Sequence, residues 1–177
     1  MMNLKECLIA YYSRKGNNIV SGRIENLPVG NTEVVAKMIH EMTEGDVFRI
    51  DTVNSYPEDY TETTEVAKKE LQENARPELY NHVENMDSYN VIFLGYPNWW
   101  GTMPMVLFTF LEEYDFSQKN IIPFCTHEGG GLGRSQNDIA KICPQSTVLD
   151  GLAIRGGDVK NAQNSVSKWL HGLEIIE

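Results

Sequence analysis

The feature that most constrains the fold of this chain is an alternation of short apolar runs with segments of helical spacing. The run Asn90–Gly95, with the sequence NVIFLG, is continuously apolar, which is typical of a strand buried on both faces. Five such runs have the length of strands: residues 4–12, 47–50, 90–95, 120–125 and 146–149. Strands that alternate with helices predict a parallel sheet with helices on both faces.

Helical spacing follows each of the apolar runs. The predicted helices are Val34–Met42, a polar segment from Pro57 to about Glu73, a helix opened by Pro104, Ser135–Ile142, and Val159–Leu170. Because no repeat, linker or low-complexity segment divides the 177 residues, we predict a single domain over residues 1–177.

Charge and composition exclude several classes of function. A net charge of −10 argues against a nucleic-acid partner and weakens a membrane-surface function. No apolar stretch approaches the ~18 residues of a membrane span, and the first residues lack the cleavage site of a signal peptide. The widely spaced Cys7, Cys125 and Cys143 predict no metal site, but buried, reduced thiols and a cytoplasmic location.

Ligands of such sheets bind beyond the carboxyl ends of the strands, so the loops after the first, third and fourth strands are expected to form the site. In the first loop, Ser13 and the triplet Gly30-Asn31-Thr32 offer hydroxyls and free amides before a helix. This pattern favours a phosphate site, although Asn and Thr are also good helix caps.

The second loop contains Pro97, Asn98, Trp99, Trp100 and Gly101. An indole can lie flat on a conjugated ring, and glycine allows the backbone to approach a ring edge. The alternative is that both tryptophans cover the helix that follows.

The third loop, with the sequence THEGGGLG, begins with Thr126, His127, Glu128, Gly129 and Gly130. Its amides could contact a ring edge, or the loop could be a flexible connector. A phosphate on the first loop and a flat ring on the other two together indicate one ligand, flavin mononucleotide (FMN).

On the strand CLIAYYS, the Val29-Gly30-Asn31-Thr32 segment and the motif YPNWWGT, the chain resembles the flavodoxin family. The resemblance spans nearly the whole sequence. It implies a flavodoxin-like, doubly wound α/β fold of three layers with strand order 2-1-3-4-5, FMN as the cofactor and electron transfer as the function.

The first loop departs from the family pattern. Flavodoxins keep Ser-x-Thr-Gly-Asn-Thr contiguous, whereas here residues 14–28 interrupt it and Val29 replaces the first Thr. The interrupting segment could form a flap near the phosphate, with Asn18 or Arg14 supplying a contact, or it could extend into solvent. A rival phosphate site at residues 13–18 also stays open.

The third loop lacks the tyrosine that sandwiches the ring in many flavodoxins and has His127 and Glu128 instead. This leaves one ring face open and makes His127 the one candidate for a catalytic proton donor. An electron carrier with a redox partner protein, an NAD(P)H-dependent quinone or flavin reductase acting on a small-molecule acceptor, and a non-redox phosphate-ligand module all stay open. The sequence does not fix the oligomeric state.

Overall fold

A computed structural model describes residues 6–174. In chain order the strands are β1 (Cys7–Tyr11), β2 (Gly16–Val20), β3 (Arg23–Leu27), β4 (Asp46–Arg49), β5 (Val91–Pro97), β6 (Asn120–His127), β7 (Thr147–Val148) and β8 (Leu152–Arg155). The main sheet has the order β4-β1-β5-β6-β7, and all of its pairings are parallel. In terms of the predicted strands this is the order 2-1-3-4-5, and the prediction is confirmed.

The last predicted strand, at residues 146–149, is present as β7, and the structure adds a further short strand, β8, beyond it. β7 pairs with the start of β6, and β8 pairs with its end. Pro123 lies between the two pairing regions of β6 and has no backbone N–H to donate to a neighbouring strand. The strand at residues 146–149 is thus confirmed, whereas β8 was not predicted.

The five helices are α1 (Asn31–Thr43), α2 (Tyr60–Gln72), α3 (Met105–Glu113), α4 (Ser135–Ile142) and α5 (Gln163–Gly172). Side chains alternate along β5, so that Leu94 faces one half of the core and Phe93 the other. Leu94 packs with Phe110 of α3 and Ile139 of α4. Phe93 packs in the half of the core formed with α1 and α5. The predicted three layers are thus present.

The segment that interrupts the first loop folds into an antiparallel hairpin of β2 and β3. Its two-residue turn consists of Ser21 and Gly22, with φ angles of 53° and 79°. Two positive φ angles are typical of the type I′ turn, whose twist matches that of the flanking strands.

Cys7, Cys125 and Cys143 are free and buried, as predicted. Burial raises the pKa of Cys7 and of Cys125 to about 12 and that of Cys143 to about 11. Over residues 6–174, no helix is both long enough and apolar enough to cross a bilayer. The same residues contain no His, Cys, Asp and Glu group suited to hold a metal ion.

Candidate functional site

The loops after β1, β5 and β6 meet at one edge of the sheet, because these three strands are adjacent and parallel. Two adjoining cavities open there, with volumes of ≈ 140 Å³ and ≈ 350 Å³. Arg14, Asn18, Tyr60, Asn98 and Trp99 line both. The two cavities are therefore neighbouring parts of one site.

Most of the predicted site residues line this site. The first cavity is lined by Asn18, Asn31, Thr32, Pro97, Asn98, Trp99, Thr126, His127 and Glu128, and the second adds Trp100. Ser13, Val29, Gly30, Gly101, Gly129 and Gly130 lie outside both linings. The prediction that these six bind the cofactor directly stays a prediction.

Other lining residues were not predicted. The first cavity also contains Ile19 and Gly156, and the second contains Thr63, Thr64 and Ala67. Tyr60 borders both cavities, and Arg14 was considered only as a substitute contact. Helix α2, which was predicted only as a polar helical segment, supplies four of these residues: Tyr60, Thr63, Thr64 and Ala67.

The start of α1 has backbone amides that are suited to an anion. Within residues 6–174, no hydrogen bond uses the backbone N–H of Asn31 or of Thr32. The next amide, that of Glu33, donates to Ser13 Oγ at 3.1 Å. A side chain at Gly30 would bring its Cβ to 2.8 Å from the Arg14 carbonyl oxygen, so only glycine fits there. Two free amides at a helix N-terminus fit a phosphate group.

A buried hydroxyl pair connects the first and third loops. Thr32 and Thr126 are 2% and 4% exposed, and their Oγ1 atoms are 2.8 Å apart. Two hydroxyls carry two hydrogens, and the contact between them uses one. The second hydrogen is left to donate to an anionic ligand in the first cavity, which both side chains line.

In the second loop, Trp99 and Trp100 have different environments. Trp99 packs edge-on against Tyr12 and Tyr56, with ring centroids 5.5 Å and 5.1 Å away, and lines both cavities. Trp100 is 49% exposed, and its Nε1–H donates to the Thr64 carbonyl at 2.9 Å. Trp99 is therefore the better placed of the two for contact with a ring.

The turn that carries these tryptophans is tight. The backbone N–H groups of Trp99 and Thr102 each donate a hydrogen bond to the other residue's carbonyl. Trp100 and Gly101, which lie between them, have φ angles of 57° and 87°. The left-handed conformation suits Gly101 but strains Trp100. The contact of Trp100 with Thr64 opposes this strain and joins the second loop to α2.

The third loop places a neutral imidazole and a carboxylate at the first cavity. His127 Nδ1 accepts the Gly129 N–H at 2.9 Å. Burial, and after it the charge of Arg155, lowers the pKa of His127, while Glu128 opposes the shift. Both effects favour neutral His127. Glu128 accepts the Ser21 N–H at 2.9 Å and so holds the tip of the hairpin at the cavity.

Arg14 places a positive charge where the two cavities join. Its guanidinium donates to the carbonyls of Pro57 and Glu58 at 2.9 Å and 2.7 Å, and to Thr63 Oγ1 at 3.1 Å. Burial lowers the pKa of Arg14, but arginine stays charged in proteins. A cation held by neutral oxygens at this position favours an anionic ligand.

The comparisons with known proteins agree with this fold. The family model described as flavodoxin matches residues 26–173. A flavoprotein from Lactobacillus acidophilus, solved in complex with FMN, is 20% identical over 93% of this chain and 98% of its own, with a TM-score of 0.66. Oxidised flavodoxin 2 from Bacillus cereus is 17% identical over 94% of this chain and 99% of its own, with a TM-score of 0.51. No curated protein matches the sequence.

Proposed function

Because the chain belongs to the flavodoxin family, we propose that it binds one FMN across the two adjoining cavities and transfers electrons through it. The observation that carries this proposal is the continuity of an anion site with a larger cavity lined by aromatic residues. FMN has the matching division into a phosphate and a flat conjugated ring.

The residues of the chain would hold the two parts of FMN by different forces. The amides of Asn31 and Thr32, with the hydroxyl pair, suit the phosphate. Trp99 presents an indole to the larger cavity, where burial and stacking favour a ring. When bound, FMN supplies the electron chemistry, and the protein supplies position and electrostatics.

The charges of this chain would adjust the reduction potential of the bound FMN. The net charge of −10 disfavours electron uptake by the cofactor, whereas Arg14 at the junction of the cavities favours it. The same acidic surface suits a basic redox partner protein. The cytoplasmic location predicted from the sequence is part of this proposal.

The experiment is a titration of the purified apoprotein with FMN, riboflavin and FAD, followed by absorbance and fluorescence. We expect a yellow complex with FMN and much weaker binding of riboflavin, which lacks the phosphate. A colourless protein that does not take up added FMN would remove the redox function and leave a non-redox phosphate-ligand module.

A reductase is the second candidate, and the absence of a stacking tyrosine from the sequence of the third loop favours it. Stopped-flow mixing of the FMN-loaded protein with NADH or NADPH separates the two. Fast bleaching of the flavin by either nucleotide indicates a reductase, and no bleaching indicates a carrier that depends on a protein donor.

A further inference from the structure

The third loop provides no tyrosine to the cofactor cavities, but helix α2 does. Tyr60 is the first residue of α2 and lines both cavities, together with Trp99. No prediction from the sequence placed α2 at the site.

The backbone of Tyr60 is held in place by its neighbours. Its N–H donates to Asn17 Oδ1 of the hairpin at 3.1 Å. Asp59 caps α2 by accepting the Glu62 N–H at 2.9 Å. Arg14 binds the Pro57 and Glu58 carbonyls just before the helix. The backbone of Tyr60 is therefore fixed before any ligand arrives, which lowers the entropic cost of binding.

The ring of Tyr60 has no aromatic partner among the residues that the structure describes. Tyr12, Tyr56 and Trp99 contact one another edge-on. Over residues 6–174, no aromatic pair includes Tyr60, which is half-buried. An aromatic side chain that lines a cavity without a partner is available to a flat ligand.

The hydroxyl end of Tyr60 lies in a charged environment. Burial raises the pKa of Tyr60, the charge of Glu128 raises it further, and Arg14 opposes the shift. The phenol therefore stays neutral near pH 7, and a neutral ring can contact the flavin without charge repulsion from the phosphate.

Tyr60 lines both cavities, its backbone is held by hydrogen bonds, and its ring has no aromatic partner over residues 6–174. From these three observations we infer that Tyr60 is a flavin-binding residue. Its ring, presented by α2, contacts the isoalloxazine. This inference rests on the proposed function, because it assigns one further contact to the same cofactor. α2 is thereby part of the cofactor site.

The test compares the FMN and riboflavin affinities of Tyr60→Phe and Tyr60→Leu with those of the parent protein. Phenylalanine keeps the ring and leucine removes it. We expect Tyr60→Phe to bind both flavins within about twofold of the parent, and Tyr60→Leu to bind both about tenfold more weakly. Equal loss for the two flavins indicates contact with their shared ring.

Tyr80→Leu is the matched control, since Tyr80 is 72% exposed and lines neither cavity. Thermal unfolding followed by circular dichroism establishes that each variant folds. Tyr60→Met, a second variant without a ring, replaces Tyr60→Leu if the latter does not fold.

Three results would overturn the inference. Parental affinity in Tyr60→Leu would exclude the contact, and equal loss in Tyr60→Phe and Tyr60→Leu would assign it to the hydroxyl. A loss for FMN alone would assign Tyr60 to the phosphate. If the parent protein binds neither flavin, the proposed function itself fails, and this result is distinct from the other three.

Discussion

The Oγ1 atoms of Thr32 and Thr126 lie 2.8 Å apart in the buried floor of the first cavity. Thr32 is the second residue of helix α1 and Thr126 lies near the end of β6, so this one hydrogen bond connects the segments that follow β1 and β6. The floor of the site thus depends on residues 94 positions apart in the chain.

We expect Thr32→Val to weaken FMN binding by about 1 kcal/mol, or about fivefold, because valine keeps the shape and removes the hydroxyl. Thr32→Ser, which keeps the hydroxyl, serves as the control and should retain most of the affinity. Isothermal titration calorimetry measures both. Unchanged affinity in Thr32→Val would move the phosphate to the rival site at residues 13–18.

The two tryptophans of the second loop should contribute unequally. Because Trp99 lines both cavities and Trp100 only the second, we expect Trp99→Leu to weaken FMN binding by about tenfold and Trp100→Leu by less. Trp169→Phe is the control, since Trp169 packs on Phe93 in the α1–α5 half of the core. A larger loss in Trp100→Leu would reverse this order, and parental affinity in both variants would contradict ring stacking in this loop.

Glu128 places a carboxylate beside the proposed phosphate site. Glu128→Gln keeps an oxygen to accept the Ser21 N–H and removes the charge. We expect FMN to bind about two- to fivefold more tightly, with the gain shrinking as salt is added. Titrations at low and high ionic strength measure this, with Glu25→Gln on the exposed hairpin strand as the control. Weaker binding would show that the charge of Glu128 supports the site.

His127 should lower the stability of the protein in acid. Burial holds its pKa in the folded protein below the ordinary value of about 6.5. As the pH falls through that value, the unfolded chain takes up the proton first, so the free energy of unfolding decreases. Urea unfolding at pH 7.5 and pH 5 measures the change, which should be smaller in His127→Gln. An NMR titration midpoint of His127 above the ordinary value would contradict this prediction.

The main sheet was predictable because its signals are local and strong. The apolar runs that form β1, β5 and β6 have side chains that are stable only when they are buried. The helical spacing of apolar residues predicted α4 with the bounds that the structure has, Ser135–Ile142. Pro123 could have indicated that β6 pairs with two short strands rather than one, because a proline interrupts the pairing of a central strand.

The contribution of α2 to the lining of the cavities was not predicted, because charged and polar residues dominate its composition. The sequence YTETTEVAKKELQ contains few apolar residues, so the segment was interpreted only as a polar helix. A weaker signal was present: Tyr60, Thr63, Thr64 and Ala67 recur at the i, i+3, i+4 and i+7 spacing of one helix face. Small and hydroxyl side chains on such a face suit a ligand cavity.

The hairpin was only partly predictable. Ser21-Gly22 is a turn signal between two weakly alternating segments. Nothing in the local sequence indicates that Glu128 accepts a hydrogen bond from the Ser21 N–H of this turn. That contact joins residues 107 positions apart and depends on the sheet having already formed.

The burial of all three thiols makes the chain convenient for spectroscopic labelling. A cysteine reacts with maleimide reagents as the nucleophilic thiolate, and a pKa of about 11 or 12 leaves almost no thiolate at pH 7. A single cysteine introduced at Ser21 would thus be the only site labelled in the native protein. A spin label at that position would measure the mobility of the hairpin tip with and without added FMN, with no native cysteine removed.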